Sequence, residues 1–136
     1  MLSKFESQFA LAARVLLALL FLPAGISKLT GFAGTVGYIG SVGLPFPELG
    51  AVIAIVVEVG GALAIIAGFK TRWVALGLAV FTVITGLFFH KFWAVPADQV
   101  MVQQIMFFKN VAIAGGFLML TAFGPGAWSV DAKRGE

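Results

Sequence analysis

The sequence predicts an all-α integral membrane protein: a four-helix bundle, with a short helical or re-entrant segment between helices 1 and 2. Three observations predict it. Four apolar stretches of bilayer-crossing length recur along the chain. Only 11% of residues are charged and 60% are hydrophobic, with a mean hydropathy of +1.04, whereas a soluble domain carries roughly 25% charged residues. Four of the five prolines and nine of the fifteen charged residues lie outside those stretches, in the breaks between them or at the termini. A chain of 136 residues fits a single transmembrane domain over residues 1–136.

The polar stretch Met1 to Gln8 leads into a first span over about residues 8–28. Arg14 interrupts what would be the apolar region of a signal peptide, and no small-x-small cleavage site follows, so this is read as a helix. Pro23 loosens its last turn, which neighbouring helices tolerate. Ser27 to Pro47 is too glycine-rich to span. Gly31, Gly34, Gly37, Gly40 and Gly43 recur at every third residue, but without the interleaved prolines of collagen. A short helix or re-entrant piece lying against the bundle fits better, with Tyr38 near the interface.

Leu44-Pro45-Phe46-Pro47 delivers the chain to a second span over about 48–69. Lys70-Thr71-Arg72 is a short charged turn, so the second and third spans are antiparallel neighbours. The third covers about 73–92, from Trp73 at one interface to His90-Lys91-Phe92-Trp93 at the other. After a loop with Pro96 and Asp98, the fourth runs over about 103–123 and stops at Gly124-Pro125-Gly126. A polar tail from Ser129 to Glu136 follows. Gly60-Gly61-Ala62-Leu63 and Gly115-Gly116-Phe117-Leu118 hold similar places in the second and fourth spans. Either an old hairpin duplication or the close approach that paired glycines give membrane helices accounts for the echo.

Four spans put both termini on one side, with Lys4, Lys70, Arg72, Lys133 and Arg134. The basic bias assigns that side to the cytoplasm. The net charge of +3 is too small and scattered to argue for nucleic acid. Without cysteine there is no disulfide, thiolate metal site or CxxC redox pair. One histidine and no cysteine fall short of the usual metal ligand sets.

Chemistry concentrates on the charges inside the membrane. From Ala51 to Phe69 every residue but Glu58 is apolar or glycine. An acid there must face the bundle and find a partner. At about 1.5 Å per residue, Glu58 lies roughly 15 Å from the outer end of its helix, and Arg14 about 10 Å in from the opposite face. Lys109 lies about 9 Å into the fourth span. Arg14 and Lys109 are therefore the two expected partners of Glu58, with Lys28, His90 and Asn110 on the outward side. Two cations around one acid would leave a surplus positive charge, met by a neutral Lys109 or by an anion or electron-rich oxygen ligand. Plain structural readings stand beside these: an Arg14–Glu58 pair that only fixes packing, a snorkelling Lys28, and a His90 that marks the headgroup boundary.

The motifs also carry a resemblance. They are Leu22-Pro23-Ala24-Gly25-Ile26-Ser27-Lys28 with Gly31-Phe32, Gly43-Leu44-Pro45, Glu58-Val59-Gly60-Gly61 and Gly68-Phe69-Lys70-Thr71-Arg72. His90-Lys91-Phe92-Trp93, Phe108-Lys109-Asn110 and Gly124-Pro125-Gly126 with Ser129-Val130-Asp131 complete the set. Together, over nearly the whole chain, they resemble the DoxX family of small bacterial inner-membrane proteins. The resemblance implies a multi-pass protein of the bacterial inner (plasma) membrane. It also implies an association with membrane redox chemistry, as an oxidoreductase subunit or a quinone-handling module. The chain has no intrinsic cofactor motif, so a quinone or a small anionic ligand and soluble oxidoreductase partners are the expected company in the lipid bilayer. A non-catalytic scaffold that recruits oxidoreductases is the competing reading. A small transporter, working as a homo-oligomer, is the third.

Overall fold

The computed structural model describes residues 1–136, and its regular elements are all helical. A 3-10 turn, Leu2–Phe5, leads into α1, Glu6–Thr30. The short α2 is Phe32–Ser41. α3 is Pro47–Ala67, with a π-helical turn over Val56–Gly60. α4 is Thr71–Phe89, α5 is Val100–Phe123, and α6 is Val130–Arg134. Four stretches are long and apolar enough to cross a membrane: Leu2–Thr30, Pro47–Ala67, Thr71–Ala94 and Ala97–Phe123. The segment between the first two spans is the helix α2, and α1 continues through Pro23 to Thr30.

Two antiparallel pairs make the bundle. α1 packs along α3, and α4 along α5. α3 meets α4 through its Gly61–Ala67 half, while the Pro47–Ile55 half packs on α1 and α2 instead. The core joins Ala18 and Phe21 of α1, Ala62 and Ile65 of α3, Ala75, Leu78 and Ala79 of α4, and Ala114, Phe117 and Leu120 of α5. Phe21 and Phe117 stack edge to face, with centroids 5.5 Å apart. Many of these residues are small, because lipid gives no hydrophobic drive between helices and close backbone approach supplies the attraction. Gly61 and Gly116 serve that end: a Cβ there would lie 3.0 Å from Leu78 and 3.3 Å from Leu17. Gly60 and Gly115 meet nothing within 4 Å, so one glycine of each pair serves the close approach.

Charges cap the helix ends at the end of the bundle that holds the termini. Arg14, fully buried, donates from Nη1 to the carbonyls of Ile65 (3.2 Å) and Ile66 (2.7 Å), and from Nη2 to that of Trp128. The last carbonyls of α3 have no helical partner, and a cation there also opposes the helix dipole. Arg72 does the same for α5, donating to Thr121 and Ala122. Asp131 works at the opposite polarity, accepting from the backbone N–H of Lys70 (2.7 Å) and Thr71 (2.8 Å) at the start of α4. The tail is thus a clasp over the α3–α4 turn, with Ser129 Oγ accepting from Ala132 N–H to start α6. Burial pushes the Asp131 carboxyl up, but the hydrogen bonds from Thr71 and Lys70 outweigh it and hold the group below its ordinary value.

Candidate functional site

The site begins with a glycine. A Cβ on Gly25 would lie 2.7 Å from Val59 Cγ2 and 3.0 Å from Glu58 Cβ, so only glycine lets α1 come this close to α3. Lys28 follows three residues later, on the same side of α1. Its Nζ reaches Glu58 Oε2 at 2.9 Å. The Lys28 side chain is 32% exposed and the Glu58 side chain 10%. Oε2 is buried, and the Lys28 ammonium is the charge it meets. Glu58 stands in the π turn of α3, and such single π turns are frequent at functional sites.

The α4–α5 pair supplies the facing wall. Asn110 Nδ2 donates to the Thr82 carbonyl at 3.0 Å and lies 3.5 Å from Thr85 Oγ1. Gly86 makes room for it, since a Cβ there would sit 3.3 Å from Nδ2. Above this, His90 Nδ1 is 2.9 Å from Gln103 Oε1. A carboxamide oxygen only accepts, so Nδ1 carries the hydrogen and Nε2 remains for another partner. Tyr38 of α2 covers the top, with its ring 5.3 Å from that of Phe89.

Between these walls lies a cavity of about 530 Å³ whose lining includes Lys28, Glu58, His90 and Asn110. That volume is in the range of small-molecule sites. Its other walls are mostly apolar, among them Phe21, Ile39, Ala54, Phe81 and Phe88.

The structure therefore unites four of the six residues expected from the sequence and separates two. Arg14 does not meet Glu58. Gly25 fixes the register of α1 against α3 at Glu58, and Arg14 lies eleven residues before it, about 16 Å along the helix. Arg14 instead meets the end of α3. Lys109 does not meet Glu58 either. Asn110 faces α4, and successive helical residues point about 100° apart, so Lys109 is turned outward and exposed, in no ion pair. The partner of Glu58 is Lys28, which is no free snorkelling side chain. One cation and one acid leave no surplus charge, so the site does not require an anion to balance it. Thr82, Thr85 and Gln103 were not anticipated. Their signal was helical spacing toward Asn110 and His90, which an inventory of charges passes over.

The fold and the cavity define a polytopic membrane protein with a mostly apolar pocket, polar at Lys28, Glu58, His90 and Asn110, between two helical hairpins. The DoxX family model matches residues 9–91, and the chain belongs to the DoxX family. It is 44% identical over 123 residues to the inner membrane protein YphA of Escherichia coli (strain K12), covering 90% of this chain and 88% of that protein. It is 45% identical over 130 residues to the inner membrane protein YqjF of the same organism, covering 96% and 95%. A Surfeit locus protein 4 homolog of Schizosaccharomyces pombe is 27% identical over 131 residues, 95% of this chain but 38% of that protein. No solved structure matches. The four apolar spans and the inner-membrane relatives together support a bacterial inner-membrane protein.

Proposed function

We propose that the cavity holds a quinone headgroup and that the protein is a quinone-handling module of membrane-associated redox chemistry, with both termini in the cytoplasm. The observation that carries this reading is the Lys28–Glu58 pair in the wall of a mostly apolar pocket. A neutral, flat ligand with polar oxygens suits such a pocket better than an anion, because the pair is already balanced. Phe81 and Phe88 line the cavity and give a ring aromatic neighbours. Lys28 offers a donor to a carbonyl oxygen, the free Nε2 of His90 an acceptor for a quinol hydroxyl, and Glu58 a proton site. Conversion of a quinone to its quinol takes two electrons and two protons. Glu58 and His90 would pass the protons, and an oxidoreductase partner would supply the electrons.

The test is equilibrium binding of a benzoquinone and a naphthoquinone to the wild type, Glu58→Gln and Lys28→Met in lipid nanodiscs. The expected result is folded protein throughout, with binding at least about tenfold weaker in both variants, or about 1.4 kcal/mol. A folded wild type that binds neither quinone overturns the reading. Retention of an oxidoreductase by such a protein would favour the scaffold function.

A further inference from the structure

One stripe of α1 runs from an apolar trough into the cavity. Phe9, Ala13, Leu16 and Leu20 line a second void, of about 990 Å³, on the flank of the bundle between α1 and α5. Leu20, Ala24 and Lys28 continue the same helical spacing along the cavity wall. Leu20 lines both voids. α5 repeats the pattern: Asn110 faces the cavity, and Ile113, Gly116, Leu120 and Phe123 follow at intervals of three and four along the trough. Each stripe is thus polar where it meets the cavity and apolar beyond it. From Leu20 to Phe9 the trough runs eleven residues, about 16 Å along α1. From Phe9 to Leu20 it lies within the apolar length of α1, and beyond Phe9 the void ends at the polar Ser3 and Glu6 and at Gly124 and Gly126 past α5.

We infer that the ligand is a membrane-dissolved amphiphile, its flat polar head in the cavity and its long apolar tail leaving past Leu20 into the α1–α5 trough. This rests on the quinone reading of the cavity and narrows it to polyprenyl-tailed quinones, as opposed to water-soluble quinones and phenols. The shared wall at Leu20, with the cavity on one side and the trough on the other, is what assigns the trough a tail. A groove filled only by bulk lipid or by a second copy of the chain needs no junction with a polar pocket. Leu20, 51% exposed, forms the threshold between head and tail.

The test compares a benzoquinone bearing a polyprenyl tail with the same ring bearing a methyl group in its place. Binding is measured in nanodiscs at equal mole fraction in the lipid. Ala13→Phe fills the trough from an exposed position, Leu20→Trp narrows the threshold, and Ala12→Phe, exposed but outside the trough, is the control. Ala13→Phe and Leu20→Trp should weaken the tailed ligand by about tenfold, leaving the tailless ring and the melting temperature unchanged, with Ala12→Phe neutral for both. If Ala13→Phe leaves the tailed ligand unchanged, the trough holds only annular lipid and the inference fails while the cavity reading stands. If Ala13→Phe instead dissociates a dimer without affecting either ligand, the trough is a contact between copies, and the inference fails likewise. A wild type that binds neither ring overturns the cavity reading itself.

Discussion

The Arg14 guanidinium donates to the Ile66 carbonyl at 2.7 Å, so the most deeply buried cation of the bundle answers a helix end and no carboxylate in the cavity. With Ile65 and Trp128 also accepting, Arg14 ties α1, the end of α3 and the C-terminal segment together. Its role is architectural. Arg14→Met should strand the Ile66 and Trp128 carbonyls, Ile65 keeping its bond from the Gly68 N–H, and destabilise the protein by about 2 kcal/mol or more, since each buried group left without a partner costs about 1–3 kcal/mol. Thermal unfolding in detergent measures it. Quinone binding by the fraction that stays folded should be unchanged; a selective loss of binding would return Arg14 to the site.

Lys28 and Glu58 should behave as a unit. Removing either partner leaves the other charge buried, whereas removing both leaves none. Lys28→Met and Glu58→Gln should each lower stability by more than the double substitution does, with a coupling of about 1–3 kcal/mol in a double-mutant cycle. Additive effects would mean that the 2.9 Å contact carries no weight in the folded protein.

Gly25→Ala tests the approach that creates this pair. The new methyl would meet Val59 and the Glu58 Cβ at 2.7 and 3.0 Å, so α1 must shift away from α3. Overpacking of this kind costs about 1–3 kcal/mol. The melting temperature should fall, and quinone binding should weaken with it, because Lys28 rides on the displaced segment. Gly60→Ala, which meets nothing within 4 Å, is the matched control and should change neither.

Asp131 gives the clasp a pH dependence. Its carboxyl is held below the ordinary value by its hydrogen bonds to the start of α4. For a depressed carboxyl, the stabilisation is fully present above the unfolded-state value, about 3.9, and is lost as pH falls through the lower folded-state value. The melting temperature should therefore hold at neutral pH and drop on acidification below about pH 4. Asp131→Asn should be less stable at neutral pH and flatter across that window. An unchanged acid limb would assign the transition to other carboxylates.

Lys109→Met should leave quinone binding unchanged and should not lower the melting temperature. The side chain points out of the bundle and is in no ion pair, and removing a charge from within the membrane-spanning length relieves a cost. A large loss of quinone binding would show that Lys109 reaches the cavity after all.

The spans, the tight α3–α4 turn and the short helix before Pro47 were all legible, because hydropathy and glycine–proline punctuation act locally. So was the membership of Lys28, Glu58, His90 and Asn110 in one region, since polar groups in an apolar bundle have few places to go. Their pairing was not legible. Counting depth from each end treats side-chain reach as the limiting quantity, whereas Gly25 and Val59 set the register by contact, and that contact puts Lys28 opposite Glu58. Asp131 was hidden for a different reason. It looks like one more charge in a solvated tail until the chain folds back over Lys70 and Thr71.

The π turn at Val56–Gly60 has a consequence for how α3 is oriented. Ala51, Ala54, Ala62 and Ile65 are all buried, and their spacing would place them on a single stripe of a regular α-helix. The turn holds one residue more than an α-helical turn would, which moves the earlier pair round by about 100° relative to the later one. The first half of α3 accordingly turns toward α2, and the second toward α4. Wound as a regular α-helix over the same residues, α3 would put both pairs on one azimuth and answer a single neighbour. The extra residue lets one helix face two neighbours in succession, with Glu58 at the swivel.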